Sequence, residues 1–199
     1  MRNAKKTVVV VLALILFASC VFPASAEATV DLISSIPTTQ VFSDEPVDQA
    51  DLEKIVQSGL AAASAINQQP WYFAVITNKD VMAEIGSPGM GGRASLGSSP
   101  AAIIIYISKE TKSPNPDFDC GLCCENMVIA ANALGYATKI VTAPTMSLNG
   151  DKHDQICETL HVDNSLSAVA VLLIGHADTD ATSSASVREA VEAKVSYIQ

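Results

Sequence analysis

Ala62-Ala63-Ser64-Ala65-Ile66-Asn67-Gln68-Gln69-Pro70-Trp71, followed at once by Tyr72-Phe73-Ala74-Val75-Ile76-Thr77, is the stretch on which the reading of this chain turns. Upstream of it, Asp48 precedes apolar residues at Leu52, Ile55, Val56, Leu60 and Ala63, the spacing of a helix with one apolar face. Asp51, three residues after Asp48, gives the start of that helix a capping-box-like arrangement. The helix is expected to end near Ala65, and Tyr72 to Thr77 reads as a strand. On residue types alone the intervening polar residues are a helix terminus and a turn, with Trp71 in the core.

Outward from this point, helices and strands intermingle. A short helix is expected around Val81 to Ile85, then a loop over Gly86 to Pro100, rich in glycine and serine. That loop lacks the G-x-x-x-x-G-K-[ST] spacing of a phosphate cradle. Ala101 to Ser108 is continuously apolar and β-branched, as a strand buried on both faces should be. Asp119 is read as the cap of a long helix through Leu134, with Gly135 as its stop. Tyr136 to Ala143 reads as a strand, Asp151 to His161 as a helix and Ala168 to Ile174 as another buried strand. Val187 to Val195 has helical character, whereas residues 27 to 45 read as turn-rich. The pattern is that of one layered domain mixing α and β.

The first residues carry a different signal. Arg2, Lys5 and Lys6 precede an apolar run from Thr7 to Phe17 and a small-residue stretch ending Ala24-Ser25-Ala26. This is the pattern of a secretory signal peptide, residues 1–26, leaving a domain over 27–199. Leu16-Phe17-Ala18-Ser19-Cys20 also resembles a bacterial lipobox, so lipidation at Cys20 is the second reading and the only route to a membrane. Without the leader, nine basic residues stand against twenty-one acidic ones, a net charge of −12. No Lys/Arg cluster offsets it, which argues against nucleic acid and anionic lipid as partners. A small-molecule substrate or a protein partner is the expectation.

The opening stretch is similar to the A-P-S-x-x-N-x-Q-P-W signature of the flavin-dependent nitroreductases, with Ala63 in place of the proline. Further segments resemble that family in the same order. They are Val41-Phe42-Ser43-Asp44-Glu45-Pro46-Val47, Asp119-Cys120-Gly121 with Asn126 to Tyr136, Leu172 to His176, and Arg188 with Val195 to Ile198 behind it. The resemblance spans residues 36 to 198 and implies an α+β fold, a central mixed β-sheet flanked by helices. It implies FMN as cofactor, NAD(P)H or another reduced donor, and a small nitroaromatic or quinone-like acceptor. It also implies a homodimer whose two chains share the flavin sites. By resemblance Asn67 hydrogen-bonds the flavin ring, Ser64 sits beside it and Gln69 assists. An amide side chain can match either a donor or an acceptor on the ring's pyrimidine edge. No catalytic acid or base is implied, because the flavin carries the chemistry.

The family's arginine-rich R-R-S-x-R-x-F opening corresponds here to Ile36 through Phe42, which has no arginine. Thr38 and Gln40 offer neutral hydrogen bonds there, and Arg188 supplies one charge from the other end of the chain. Weakened FMN binding, a different flavin or ligand, and a scaffold without cofactor all stay open at this point. The alternative to an oxidoreductase is therefore a non-catalytic exported protein that binds a flavin or related small molecule.

Cys120-x-x-Cys123-Cys124 invites a redox or metal reading, since a helix start lowers thiol pKa values. A zinc or iron–sulfur site needs a second paired motif, and none is present, so packing in the long helix is the first reading. A disulfide among Cys120, Cys123, Cys124 and Cys157 is the second. His153 and His161, two turns apart, read as one exposed helical face, and His176 follows the last strand.

Overall fold

A computed structural model describes residues 26–37, 41–86, 95–178, 190 and 194–198 of the 199-residue chain. The chain divides into two units, residues 1–35 and 36–199. In the first, Ala26–Ser35 forms helix α1, where the composition pointed to turns.

The second unit holds a four-stranded sheet. Its strands are β1 (Trp71–Ile76), β2 (Ala101–Ser108), β3 (Ala137–Val141) and β4 (Leu166–Gly175), in the order β1-β2-β4-β3. Every pairing is antiparallel, so the parallel component of a mixed sheet is not found among the described strands. The α+β layering itself is as expected. The second strand lies in the interior of the sheet with all but its last residue buried, which explains its unbroken apolar run. Between Ile105 and Tyr106 the register to β4 shifts, leaving Val169 as the extra residue of a bulge.

One face of the sheet packs Val47, Trp71, Ile103 and Ile105 with helices α2 (Gln49–Leu60) and α4 (Pro116–Ala133). The other packs Ala74, Ile104, Tyr106 and Leu173 with α3 (Lys79–Ile85), α5 (Thr145–Leu148) and α6 (His153–Leu160). Each fully buried Leu or Ile in these layers contributes about 1.5–3 kcal/mol by leaving water. α2 and α4 approach closely at Gly59, where an added Cβ would lie 2.8 Å from Met127 Cγ.

Local chemistry moved several boundaries. The α2 helix ends at Leu60 rather than near Ala65, its cap Ala61 bonding back to Gln57. Asp119 does not cap α4. Asn115 does, through its side chain to Phe118 N–H, with Pro116 pre-set at the first helical position. The third strand is shorter than Tyr136 to Ala143, and the α5 turn was not foreseen. The reading of Val187 to Val195 as a helix falls mostly outside the described residues, as do the leader residues 1–25.

The histidines also depart from expectation. His153 does not lie on an exposed face: Nδ1 is 2.7 Å from Leu148 O and Nε2 is 3.0 Å from Asn164 O. It thereby ties the end of α5 to the approach to β4. His161 terminates α6 in the left-handed conformation, φ 54°. His176 tilts against Tyr136 at 4.9 Å between ring centroids.

Candidate functional site

The polar residues of the opening stretch form a turn in an uncommon conformation. Ile66, Asn67 and Gln69 have φ of 48°, 55° and 45°. Asn tolerates the left-handed region because its short amide can bond locally, but a β-branched residue such as Ile66 does so at a cost. Residues held there cost about 1–3 kcal/mol each and persist only where their surroundings over-determine them. The turn closes on itself through Asn67 N–H to Ser64 O at 3.0 Å and Gln68 N–H to Ala65 O at 3.1 Å. Pro70 and buried Trp71 then lead into β1, so the turn is anchored on the sheet.

The three ring-binding candidates described here come together on this turn. Ser64 Oγ accepts Gln69 N–H at 2.9 Å, which leaves the hydroxyl proton free to donate outward. Asn67 Oδ1 accepts from Gln69 Nε2 at 3.2 Å, and both side chains are exposed. The result is a cluster of one hydroxyl and two amides, all neutral, presenting donors and acceptors to solvent. Thr38, Gln40 and Arg188, the candidates for a phosphate, lie outside the described residues.

Two residues absent from the sequence reading of the site shape this turn. Gln68, neighbour to both candidates, points its Oε1 to Lys112 N–H at 3.1 Å and so holds the following loop rather than a ligand. Asp119, 2 % exposed, accepts Ala65 N–H at 3.0 Å and the Ser113 hydroxyl at 2.6 Å. Its signal lay in the spacing: Asp119, Cys123 and Met127 fall on one buried helical stripe, where a lone acid requires hydrogen-bond partners.

Beside the turn is an open cleft of about 230 Å³, lined by Gln68, Gln69, Tyr72, Ser108, Glu110 and Thr111 among others. A larger one, about 520 Å³, is bordered by Glu84, Ile85, Met146, Asp151, Lys152 and Gln155. Its lining includes Ile85 and Ile156 of the core layer under α3, α5 and α6, and it shares no residue with the cleft beside the turn.

The cysteines show no sign of activation. Cys120, Cys123, Cys124 and Cys157 are buried free thiols. Cys123 is pushed up by the Cys120 thiol beside it and then by burial; burial pushes Cys124 up to about 12. The thiolate-favouring helix start expected from the motif is overturned: α4 begins four residues before Cys120, and the thiols of Cys123 and Cys124 are shifted up rather than down. Among the described residues no group of three or more His, Cys, Asp or Glu could hold a metal ion.

Known proteins resemble the chain over this same frame. A candidate NADH dehydrogenase/NAD(P)H nitroreductase of Archaeoglobus fulgidus is 29% identical over 114 residues, covering 56% of this chain and 66% of that protein. A similarly named protein of Methanothermobacter thermautotrophicus is 27% identical, covering 53% and 57%. The chain thus spans less than two thirds of the length of either relative. Among solved structures, a nitroreductase with bound FMN from Bacteroides fragilis superposes with a TM-score of 0.74 at 16% identity, covering 86% of this chain and 98% of that one. One from Desulfitobacterium hafniense, also with bound FMN, gives 0.74 at 22%, with the same coverage. The profile of the Nitroreductase family matches residues 37–92 and 88–176, a range that holds the turn, all four strands and α2 to α6, and the chain belongs to that family.

Proposed function

We propose that this chain is an FMN-dependent oxidoreductase that passes electrons from a reduced donor such as NAD(P)H to a small nitroaromatic or quinone-like acceptor. The observation that carries the reading is the donor and acceptor set of Ser64, Asn67 and Gln69 on one exposed, tightly held turn. Its chemistry fits the pyrimidine edge of an isoalloxazine, which alternates acceptors with a donor. A bound flavin supplies the hydride and electron chemistry, and the protein supplies binding and orientation. Ser64 donates its hydroxyl proton, the Asn67 amide matches an N–H or a carbonyl, and Gln69 braces Asn67. The names of the curated relatives support NAD(P)H as donor.

The site is proposed to be completed by a second copy of the chain. The cleft beside the turn, about 230 Å³, is below the 300–1,000 Å³ of ordinary ligand pockets, so a ligand of FMN's size needs another wall. Leu60, Ile66 and Phe118 stand exposed near the turn and offer apolar surface for that contact. Export, by cleavage after Ala26 or by lipidation at Cys20, is part of the same proposal and rests on the leader sequence. Intact mass of the exported protein separates the two: a chain beginning at Glu27, or a lipid-bearing Cys20.

A second reading has its own observation. Ile36 through Phe42 lack any arginine for a phosphate dianion, which favours a non-catalytic binder of flavin or a related molecule. The deciding experiment is a flavin spectrum of the purified protein, its bleaching by NAD(P)H or dithionite, and reoxidation by a quinone or nitroaromatic. Bleaching by NAD(P)H and turnover with the acceptor support the enzyme. Flavin that binds yet does not turn over supports the binder, and a protein that ignores flavin overturns the enzyme and the flavin binder alike.

A further inference from the structure

We infer that Asp119 is a positioning residue for the ligand cleft: one buried carboxylate holds both of its walls in place. The inference rests on the flavin reading of the Ser64–Gln69 turn and adds a residue that the turn itself does not contain.

The two oxygens of Asp119 reach two different segments. Oδ1 accepts the backbone N–H of Ala65, inside the left-handed turn, at 3.0 Å. Oδ2 accepts the Ser113 hydroxyl at 2.6 Å, in the segment that follows the cleft-lining residues Ser108, Glu110 and Thr111. Ser113 Oγ in turn accepts Asn115 N–H at 3.3 Å, so the second segment is fixed to the cap of α4. Gln68 closes the circuit by accepting Lys112 N–H between the two walls. A carboxylate suits this place better than a neutral group. Its bonds are charge-assisted, and the first turns of α4 favour a negative charge. Burial to 2 % exposure without such partners would be strongly unfavourable.

The consequence is functional because Ile66, Asn67 and Gln69 occupy a conformation that the chain does not adopt unaided. Without Asp119 the Ala65 N–H loses its acceptor at the start of that turn. Ser64 and Asn67 then sample other backbone states, and a ligand must first select the right one. The apparent affinity falls by the fraction of time the competent state is populated.

The test compares D119A, D119N and S113A with L148A, a core truncation on the other face of the sheet that serves as the destabilised control. FMN affinity is read by fluorescence quenching, and exchange of the Ala65 and Asn67 amides by NMR. The expected result is a loss of FMN affinity of tenfold or more in D119A, an intermediate loss in D119N and S113A, and a change under twofold in L148A. The Ala65 amide exchanges at least tenfold faster in D119A and at the wild-type rate in L148A. Should D119A not fold, D119N and S113A carry both measurements. If wild-type protein does not bind FMN, the flavin reading fails by itself, and amide exchange alone decides the role of Asp119. Equal effects of D119A and L148A on affinity and exchange, or no effect of D119A on either, overturn the inference.

Discussion

Replacing Asn67 by glycine separates what the backbone of the turn does from what its side chain does. Asn67 sits at φ 55°, which glycine adopts without steric cost. Its side chain is exposed, and its hydrogen bond among the described residues, 3.2 Å from Gln69 Nε2, joins two exposed groups. Loss of that bond costs about 0.5 kcal/mol, and glycine's added freedom in the unfolded chain costs about 0.5–1 kcal/mol, partly offset by relief at positive φ. Stability of N67G therefore stays within about 1 kcal/mol of wild type, a shift of roughly 2–4 °C in Tm for a domain of this size. Ligand binding loses a hydrogen bond worth about 0.5–1.5 kcal/mol, roughly 2- to 13-fold in Kd. N67A loses the same bond but keeps a Cβ in the left-handed region, without the amide that lets asparagine bond locally there, so it forgoes the relief of about 1–2 kcal/mol that glycine gains. Thermal melts and FMN quenching titrations on the two variants give the comparison. Unchanged affinity in N67G would remove Asn67 from the ligand site, and equal loss of stability in N67G and N67A would refute the left-handed turn.

Three further outcomes follow from other parts of the fold. In G175A the new Cβ would lie 2.6 and 2.8 Å from Pro100 Cδ and Cγ and 3.1 Å from Phe42 Cδ1, so overpacking of about 1–3 kcal/mol lowers Tm by roughly 2–12 °C. An unchanged Tm would contradict the packing of Phe42 over the end of β4. The four described thiols should resist Ellman's reagent in the native protein and react once urea exposes them, because all four are buried, the Cys120 thiol and then burial push Cys123 up, and burial pushes Cys124 and Cys157 up. Rapid native reaction would reopen the redox reading. Asp51 is held below the usual carboxylate range first by Lys54 and then by the Tyr136 hydroxyl, 3.0 Å away. Its folded value being lowered, its stabilisation is complete above the unfolded value near pH 4 and fades as pH falls through the folded one. Y136F should therefore flatten the loss of stability below about pH 4 in urea titrations, and an unaltered slope would count against the pairing.

The fold was legible wherever one residue pattern admitted a single environment. Ala101 to Ile107 carries no polar group but the Tyr106 hydroxyl, so only an inner strand suits it. Leu52 and Ile55 mark a buried helical face, as observed. What escaped depended on contacts distant in sequence. Asp119 looked like a helix cap because acids favour such positions, yet its partners are Ala65, at the start of a short 3-10 turn, and Ser113 in a loop, neither of which periodicity places. The α2 helix ends at Leu60, with Ala61 capping it in the right-handed region and Ser64 already extended, a course that the residue types between Ala61 and Gln69 do not announce. His153 was assigned to an exposed face because the carbonyls of Leu148 and Asn164 come from elements before and after its helix. Ser64, Asn67 and Gln69, the ring-binding candidates that the motif names, lie together on one turn through hydrogen bonds among themselves.

Flavin binding by the purified chain tests the central claim most directly. FMN titrated into the purified chain should be quenched and saturate near one flavin per chain, with S64A and N67G each weakening the binding. Fluorescence that stays at the value of free FMN, with riboflavin equally ignored, would contradict a flavin site on the Ser64–Gln69 turn.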